Sequence, residues 1–465
     1  MRKIGIIVTD GVGIRNYLYS SVLTELLKRK AHVILYHNLS KEAISEIENV
    51  HNHTFEKIIL PKYSEKLLHK FYRELICLSR LKSNIRLTKN DTLIDNWSPN
   101  LSKFKNKIFY RIISLLSEYF SISYNRILHL EKQYDKSLSN SFYDYEQIVK
   151  ETKPSVVLNT HQRSIDAIPF VYLLRKSKIL TVGAIFSWDN LPKARISVKT
   201  DKYIVWSSFM KSELKTYYPE INQSDVVITG TPQFDFYFEK HFIIDKVNFC
   251  KKHDLNPNKK IICFSGNDLK SSPYEEIYLE QIINEIDKID ESERPQIILR
   301  RNPVDLTGRF NNILKKYNHV VKEVAPLWIF DKKNTLNWSL IYPHFNDVKL
   351  LINTVYHSDV VINIGSTVAH DFAIYKKPVV YINYDLYKDS KWSVHRAYKY
   401  QHFKSMGDLE PVFWLNNKKD IKEVLLKALK SKEDTNQIID GQRWLNIISN
   451  ERKNVSKNIT NLLIQ

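Results

Sequence analysis

Two side chains in the first half of the chain, Asp10 and His161, stand where they could move a proton. Asp10 follows the apolar run KIGIIV, and His161 follows SVVLNT. An Asp or His at such a place can act as general base toward a hydroxyl. Asp10 could equally cap a helix beginning at Ile14, and a lone His is as often a satisfied core or surface residue. Arg15 is placed to pair with Asp10 or to hold an acidic acceptor. In the second half, ILRRNPVD (298–305) ends a strand on Arg300 and Arg301. Guanidinium groups stay charged and suit bidentate phosphate contacts, although a basic strand end can also simply face water. The stretch INIGSTVAHDFAIYKKPVVYIN (362–383) sets Gly365, Ser366 and Thr367 between a strand and a helix. Hydroxyls and free amides there make an anion site aided by the helix dipole, or serve only as an N-cap. In FSWDNLPKAR (186–195), Trp188 suits sugar stacking or a core plug, with Asp189 and Asn190 beside it. Asp347 reads most simply as a helix cap.

These residues need strand ends to present them. The opening is β-α-β, with strands KIGIIV and HVILYH (32–37) around a helix from Ile14 to Leu27, and a strand follows at Ile58–Leu60. Alternation resumes with SVVLNT (155–160), ILTVGAIF (179–186), KYIVW (202–206) and DVVITG (225–230). A second series runs through KIICFSG (260–266), QIILR (296–300), SLIY (339–342), DVVINIG (359–365) and PVVYIN (378–383), and helices at 421–430 and about 437–462 end the chain. Short Val/Ile-rich strands alternating with helices predict two doubly wound parallel sheets, whose ligands bind at carboxyl strand ends. Only ten glycines occur in 465 residues, so their positions are informative. Gly11, Gly13, Gly230, Gly266 and Gly365 each follow a strand, where glycine allows positive φ or close approach of backbone to a phosphate. TDGVG is not a dinucleotide fingerprint, and Walker A, Asp-x-Asp, HExxH and G-x-S-x-G patterns do not occur. No metal or other cofactor is expected.

Length predicts two domains: 1–240, then 241–435, then a C-terminal helix over 436–465. Three scattered cysteines and a start that breaks at Asp10 argue for a reducing cytosol and against a signal peptide. The net charge of +19 is partly local, because residues 61–130 hold 13 Lys/Arg against 5 Asp/Glu. This stretch belongs to a helical insert over about 61–150. KFKNKIFYRIISLLSEYF (103–120) mixes bases with apolar residues at helical spacing, which fits either peripheral contact with an anionic inner membrane or a packed helix with its bases in water. Nucleic acid is not expected, since the sites concentrate at strand ends rather than along a basic stripe.

TGTPQFDFY (229–237), LRRNPVD (299–305), DVVINIGSTVAHDFAIYKKPVVYINYDLY (359–387) and the Trp-Asp-Asn segment with YIVWSSFMKSEL resemble, in order and spacing, the GT-B surface-polysaccharide glycosyltransferases and the related CDP-glycerol glycerophosphotransferases. The resemblance implies a Rossmann-like acceptor domain facing a Rossmann-like nucleotide domain across a cleft. It also implies metal-independent transfer from a nucleotide sugar to a hydroxyl of a surface glycan or lipid-linked acceptor. Gly266, Arg300, Arg301, Gly365, Ser366, Thr367 and Asp371 would then meet the donor, and Gly11, Gly13, Arg15, Trp188, Asp189 and Asn190 the acceptor, with Asp10 or His161 as base. Asn302-Pro303 stands where the glycerophosphotransferases carry His-Pro, which argues against phosphotransfer, and Asn363-Ile364-Gly365-Ser366-Thr367 replaces their cytidine-type Asp-Tyr-Ser-Ser, which leans toward sugar transfer. A polyol-phosphate transferase, a nucleotide-sugar 2-epimerase and a non-catalytic sugar-binding subunit are the alternatives.

Overall fold

The computed structural model describes residues 2–139, 142–330, 341–388 and 392–465. Strands β1 (Lys3–Val8), β2 (His32–His37), β3 (Glu56–Ile59), β4 (Val156–Asn159), β5 (Leu180–Ala184), β6 (Lys202–Val205) and β7 (Val226–Ile228) form one sheet. Its order is β3-β2-β1-β4-β5-β6-β7, with every pairing parallel. The second sheet uses β8 (Ile261–Ser265), β9 (Gln296–Arg300), β10 (Val321–Glu323), β13 (Val360–Asn363), β14 (Val379–Ile382) and β15 (Phe413–Leu415). It is also parallel, in the order β10-β9-β8-β13-β14-β15. The central strands are apolar on both faces, as strands covered by helices on each side must be. This is the expected architecture: two Rossmann-like doubly wound sheets in a GT-B-like arrangement. Strand order reverses between β1 and β4 in the first sheet and between β8 and β13 in the second, and ligands of open α/β sheets bind at such reversals.

Five elements depart from the sequence reading. Residues 339–340 lie outside the described set. The remainder, β12 (Ile341–Pro343), pairs antiparallel with β11 (Trp328–Phe330) in a separate ribbon instead of joining the second sheet. The helix expected over 14–27 divides into Gly11–Gly13, a π-turn over Ile14–Leu18, and Ser21–Lys28, whose start Ser20 caps. Strands β10 and β15, three residues each, are too short to give a periodic signal. The last helix divides into Asn436–Ile448 and Val455–Ile464. Its second piece packs on the first half, where Asp235 accepts from the amides of Val455 and Ser456 at 3.1 and 2.8 Å. One apolar core runs through both halves, including Ile6, Val182, Trp188, Cys263, Val361 and Trp444.

Between β3 and β4 the insert is helical, with helices Leu67–Thr88, Phe104–Ser121, Tyr124–Leu138 and Tyr143–Thr152. Buried Arg80 ties it down through Glu131 and Glu220. The segment after the first of these helices crosses to the other half. There Asp95 pairs with Arg396 at 2.7 Å and Lys270 donates to Ser98 at 3.0 Å.

Candidate functional site

Asp10 and His161, 151 residues apart in sequence, meet at the reversal point of the first sheet. His161 Nδ1 lies 2.7 Å from Asp10 Oδ2, while Asp10 Oδ1 accepts from the Gly13 amide at 2.8 Å. Asp10 is therefore both the helix cap and the imidazole's partner. Burial opposes its ionisation, but the hydrogen bond and charge of His161 and the amides of Gly13 and Val12 outweigh that and hold the carboxyl below its ordinary range. An ionised Asp10 fixes the proton on Nδ1 and leaves a lone pair on Nε2. Nε2 has no partner among the described residues. The ring stacks on Phe186 at 4.0 Å.

The Trp-Asp-Asn segment builds this arrangement from behind. Asn190 Oδ1 accepts from Gln162 Nε2 at 3.1 Å, and Gln162 Oε1 accepts from the Phe186 amide at 2.8 Å, which sets the ring under His161. Asp189 pairs with Lys193 and accepts from Asn190. Burial opposes its charge, yet Lys193 and His402 hold it far below the usual carboxylate range. Asn190 and Asp189 thus shape the loop. Trp188 is 2% exposed and enclosed by His370, His402, Phe403 and Trp444, with ring centroids 4.8 to 6.3 Å away. It is a core plug, so the expectation of sugar stacking is corrected: no face of the indole is open. Burial lowers His370 to about 3 and His402 to about 4, so both rings around it are neutral at pH 7.

Trp188 also spans the two halves, since its Nε1 donates to Thr367 Oγ1 at 3.2 Å. Thr367 and Ser366 stand at the reversal point of the second sheet, before the helix Val368–Ile374. Gly365 has φ +63°, which favours glycine. Part of the turn caps itself, because Asn363 Oδ1 accepts from the Ser366 amide at 2.9 Å. Gly266 follows β8 beside Glu275, and Asn267 donates to the Ile364 carbonyl at 3.0 Å. Asp371 is buried with Gln233 and Tyr237, and Arg15 of the opposite half lies close enough to act on its charge. Burial wins there and pushes Asp371 up to about 6.

The two arginines do not reach this point. Arg300 is 7% exposed and bonds Asp347 at 2.8 Å and the Val324 carbonyl at 3.3 Å, while Asp347 also accepts from Leu327 N and Trp328 Nε1. Arg301 pairs with Glu323 at 2.6 Å. A buried guanidinium already matched to a carboxylate is a structural pair, so the phosphate expectation for Arg300 is corrected, while Arg301 is partly exposed and engaged by Glu323. Asp347 is a buried counter-ion rather than a cap. Gly11 and Gly13 are likewise reassigned. A Cβ on Gly11 would meet the Ile341 carbonyl at 2.2 Å, and one on Gly13 would meet Thr160 Oγ1 at 2.9 Å. The first glycine lets the two halves touch, and the second lets the helix sit on β4.

The space between the sheets is thus largely filled by the protein's own side chains. Two open grooves, of about 600 and 710 Å³, lie elsewhere, one beside Lys199 and Tyr218 and the other beside Lys246 and His357. Sequence reasoning missed Gln162, Phe186, Gln233 and Tyr237 as positioning residues, although the last three fall inside the motifs it singled out. Among the described residues no three His, Cys, Asp or Glu side chains are grouped to hold a metal, and no helix is long and apolar enough to cross a membrane.

No family model and no curated protein matches the chain. Solved structures do. The UDP-GlcNAc 2-epimerase of Neisseria meningitidis bound to UDP-GlcNAc is 14% identical, with all of both chains covered and a TM-score of 0.54. MnaA of S. aureus, solved with UDP, is 13% identical over 99% of this chain and 95% of its own, also at 0.54. A glycosyltransferase of Rickettsia africae is 11% identical over 100% and 99%, at 0.52. At such identities the likeness shows the fold, and that fold is GT-B-like, of the kind these nucleotide-sugar proteins have.

Proposed function

We propose that the chain is a nucleotide-sugar enzyme that breaks the bond between the anomeric carbon and the diphosphate and passes the glycosyl group to a hydroxyl, in the building of a surface glycan. The observation that carries this reading is the Asp10–His161 pair. It is an oriented base at one sheet's reversal point, linked through the Trp188 loop to the Ser366–Thr367 turn at the other. His161 Nε2 takes the acceptor's proton as its oxygen bonds C1, and the C1–O bond to the nucleoside diphosphate breaks with inversion. Charge growing on the leaving group is met by the hydroxyls of Ser366 and Thr367 and by Arg15. Asp371 holds the donor or its loop. Binding requires the halves to part, since Trp188 and the Gly11–Ile341 contact close the seam.

A 2-epimerase is the second reading, supported by the whole-length likeness to solved 2-epimerases. It needs no acceptor. Thermal shifts with UDP, GDP, CDP and dTDP, each with and without EDTA, identify the nucleotide and test the need for a metal. Proton NMR of the matching nucleotide sugar incubated alone then separates the readings. A new 2-epimer without acceptor favours epimerisation, and stable donor until a glycan is added favours transfer. If no nucleotide stabilises the protein, both readings are wrong. CDP-glycerol in the same panel tests phosphotransfer.

A further inference from the structure

The helix Phe104–Ser121 buries Tyr110, Ile113, Ser117 and Ser121 against the insert. Its other side is not polar. Phe104, Ile108, Ile112, Leu115, Tyr119 and the following Ile122 are 46% to 76% exposed. Their spacings of four, four, three, four and three residues put them in one sector of about 80°, along about 27 Å of helix. Exposed single apolar residues are ordinary, but a continuous stripe on one face marks an interaction surface. Lys103, Lys105, Lys107 and Arg111 border this stripe, all exposed and in no ion pair with a described residue. The one acid on the helix, Glu118, is neutralised by Lys82 at 2.6 Å.

We propose that this face is an interfacial anchor that lies flat on an anionic lipid surface, its apolar stripe entering the headgroup boundary and its bases facing lipid phosphates. The charge pattern selects this occupant over a protein: four unpaired bases beside an apolar row complement a negatively charged apolar interface. The segment that precedes the stripe touches the second half. Phe104 lies six residues beyond Ser98, which Lys270 of the second half contacts, and Asp95 pairs with Arg396. Lipid binding itself does not depend on which reaction the site performs.

The test is sedimentation of the full chain with vesicles of phosphatidylglycerol mixed into phosphatidylcholine, and with phosphatidylcholine alone. The wild type is expected to bind the mixed vesicles, with affinity falling as salt rises, and to bind the neutral ones far more weakly. Each base is worth roughly a fivefold change in binding, so K103Q/K105Q/K107Q/R111Q together should weaken binding by roughly 600-fold. F104Q/L115Q should weaken it by about tenfold or more. Circular dichroism and melting temperature should be unchanged, because the substituted side chains are exposed. Equal binding to neutral vesicles, no wild-type binding at all, or unaltered binding by either variant overturns the proposal. So does light scattering that shows a wild-type dimer falling to monomers in F104Q/L115Q while lipid binding persists. In that case the stripe would join two copies of the chain.

Discussion

Replacing Asp10 by Asn isolates the role of the His161 partner from the role of the cap. The geometry decides how the amide must sit. Oδ1 is held by the Gly13 amide at 2.8 Å, so the Nδ2 group replaces Oδ2 and faces His161 Nδ1. An amide nitrogen only donates, so His161 Nδ1 must become the acceptor and its proton moves to Nε2. The imidazole is then retained, stacked on Phe186, with its basic nitrogen blocked. Asn caps helices as well as Asp does, so stability should stay within about 1 kcal/mol of the wild type. A lost general base costs roughly 10²- to 10⁴-fold in turnover, or about 3–5 kcal/mol of barrier. The assay is release of nucleoside diphosphate, or sugar product by NMR, with a urea titration on the same preparation. Asp10→Asn, His161→Ala and the double variant should lose similar activity, because groups acting as one unit are not additive. Wild-type turnover in Asp10→Asn, or losses that multiply in the double variant, would refute a shared role.

Substitutions at two further positions extend the test. Trp188→Ala should lower the urea midpoint by the equivalent of about 3–5 kcal/mol, while Trp188→Phe, which keeps most of the fill but loses the bond to Thr367, should cost about 2 kcal/mol; a raised KM with unchanged midpoint in Trp188→Ala would restore the sugar-platform reading. Asp371, pushed up to about 6 from an ordinary 3.8, binds its proton more tightly when folded. Its ionisation therefore weakens the fold as pH rises from about 4 to 6, by about 3 kcal/mol in full. Asp371→Asn should gain stability on the wild type across that window, seen as a growing difference in urea midpoint, and a difference that does not change with pH would refute the assignment.

What the sequence disclosed and what it hid divide along contact range. Strand runs such as HVILYH and DVVINIG announce themselves because both faces are buried and β-branched residues fill them, and Asp10 and His161 were legible as strand-end residues. That they form one pair was not legible, because their meeting depends on β1 and β4 being neighbours at the point where strand order reverses. Arg300 was misread for the same reason. Its partner Asp347 lies 47 residues away and its neighbour Trp328 hangs from a ribbon outside the sheet, so nothing local distinguishes a phosphate-seeking guanidinium from a neutralised one. Trp188 gathers His370, His402 and Trp444 from separate stretches of the second half, and only that assembly reveals a plug. Gly11 carries the general point. Glycine at a strand end means that some backbone must come close, and here that backbone is the Ile341 carbonyl of the opposite half instead of a phosphate. The residue type records the distance of approach, while the identity of what approaches belongs to the fold.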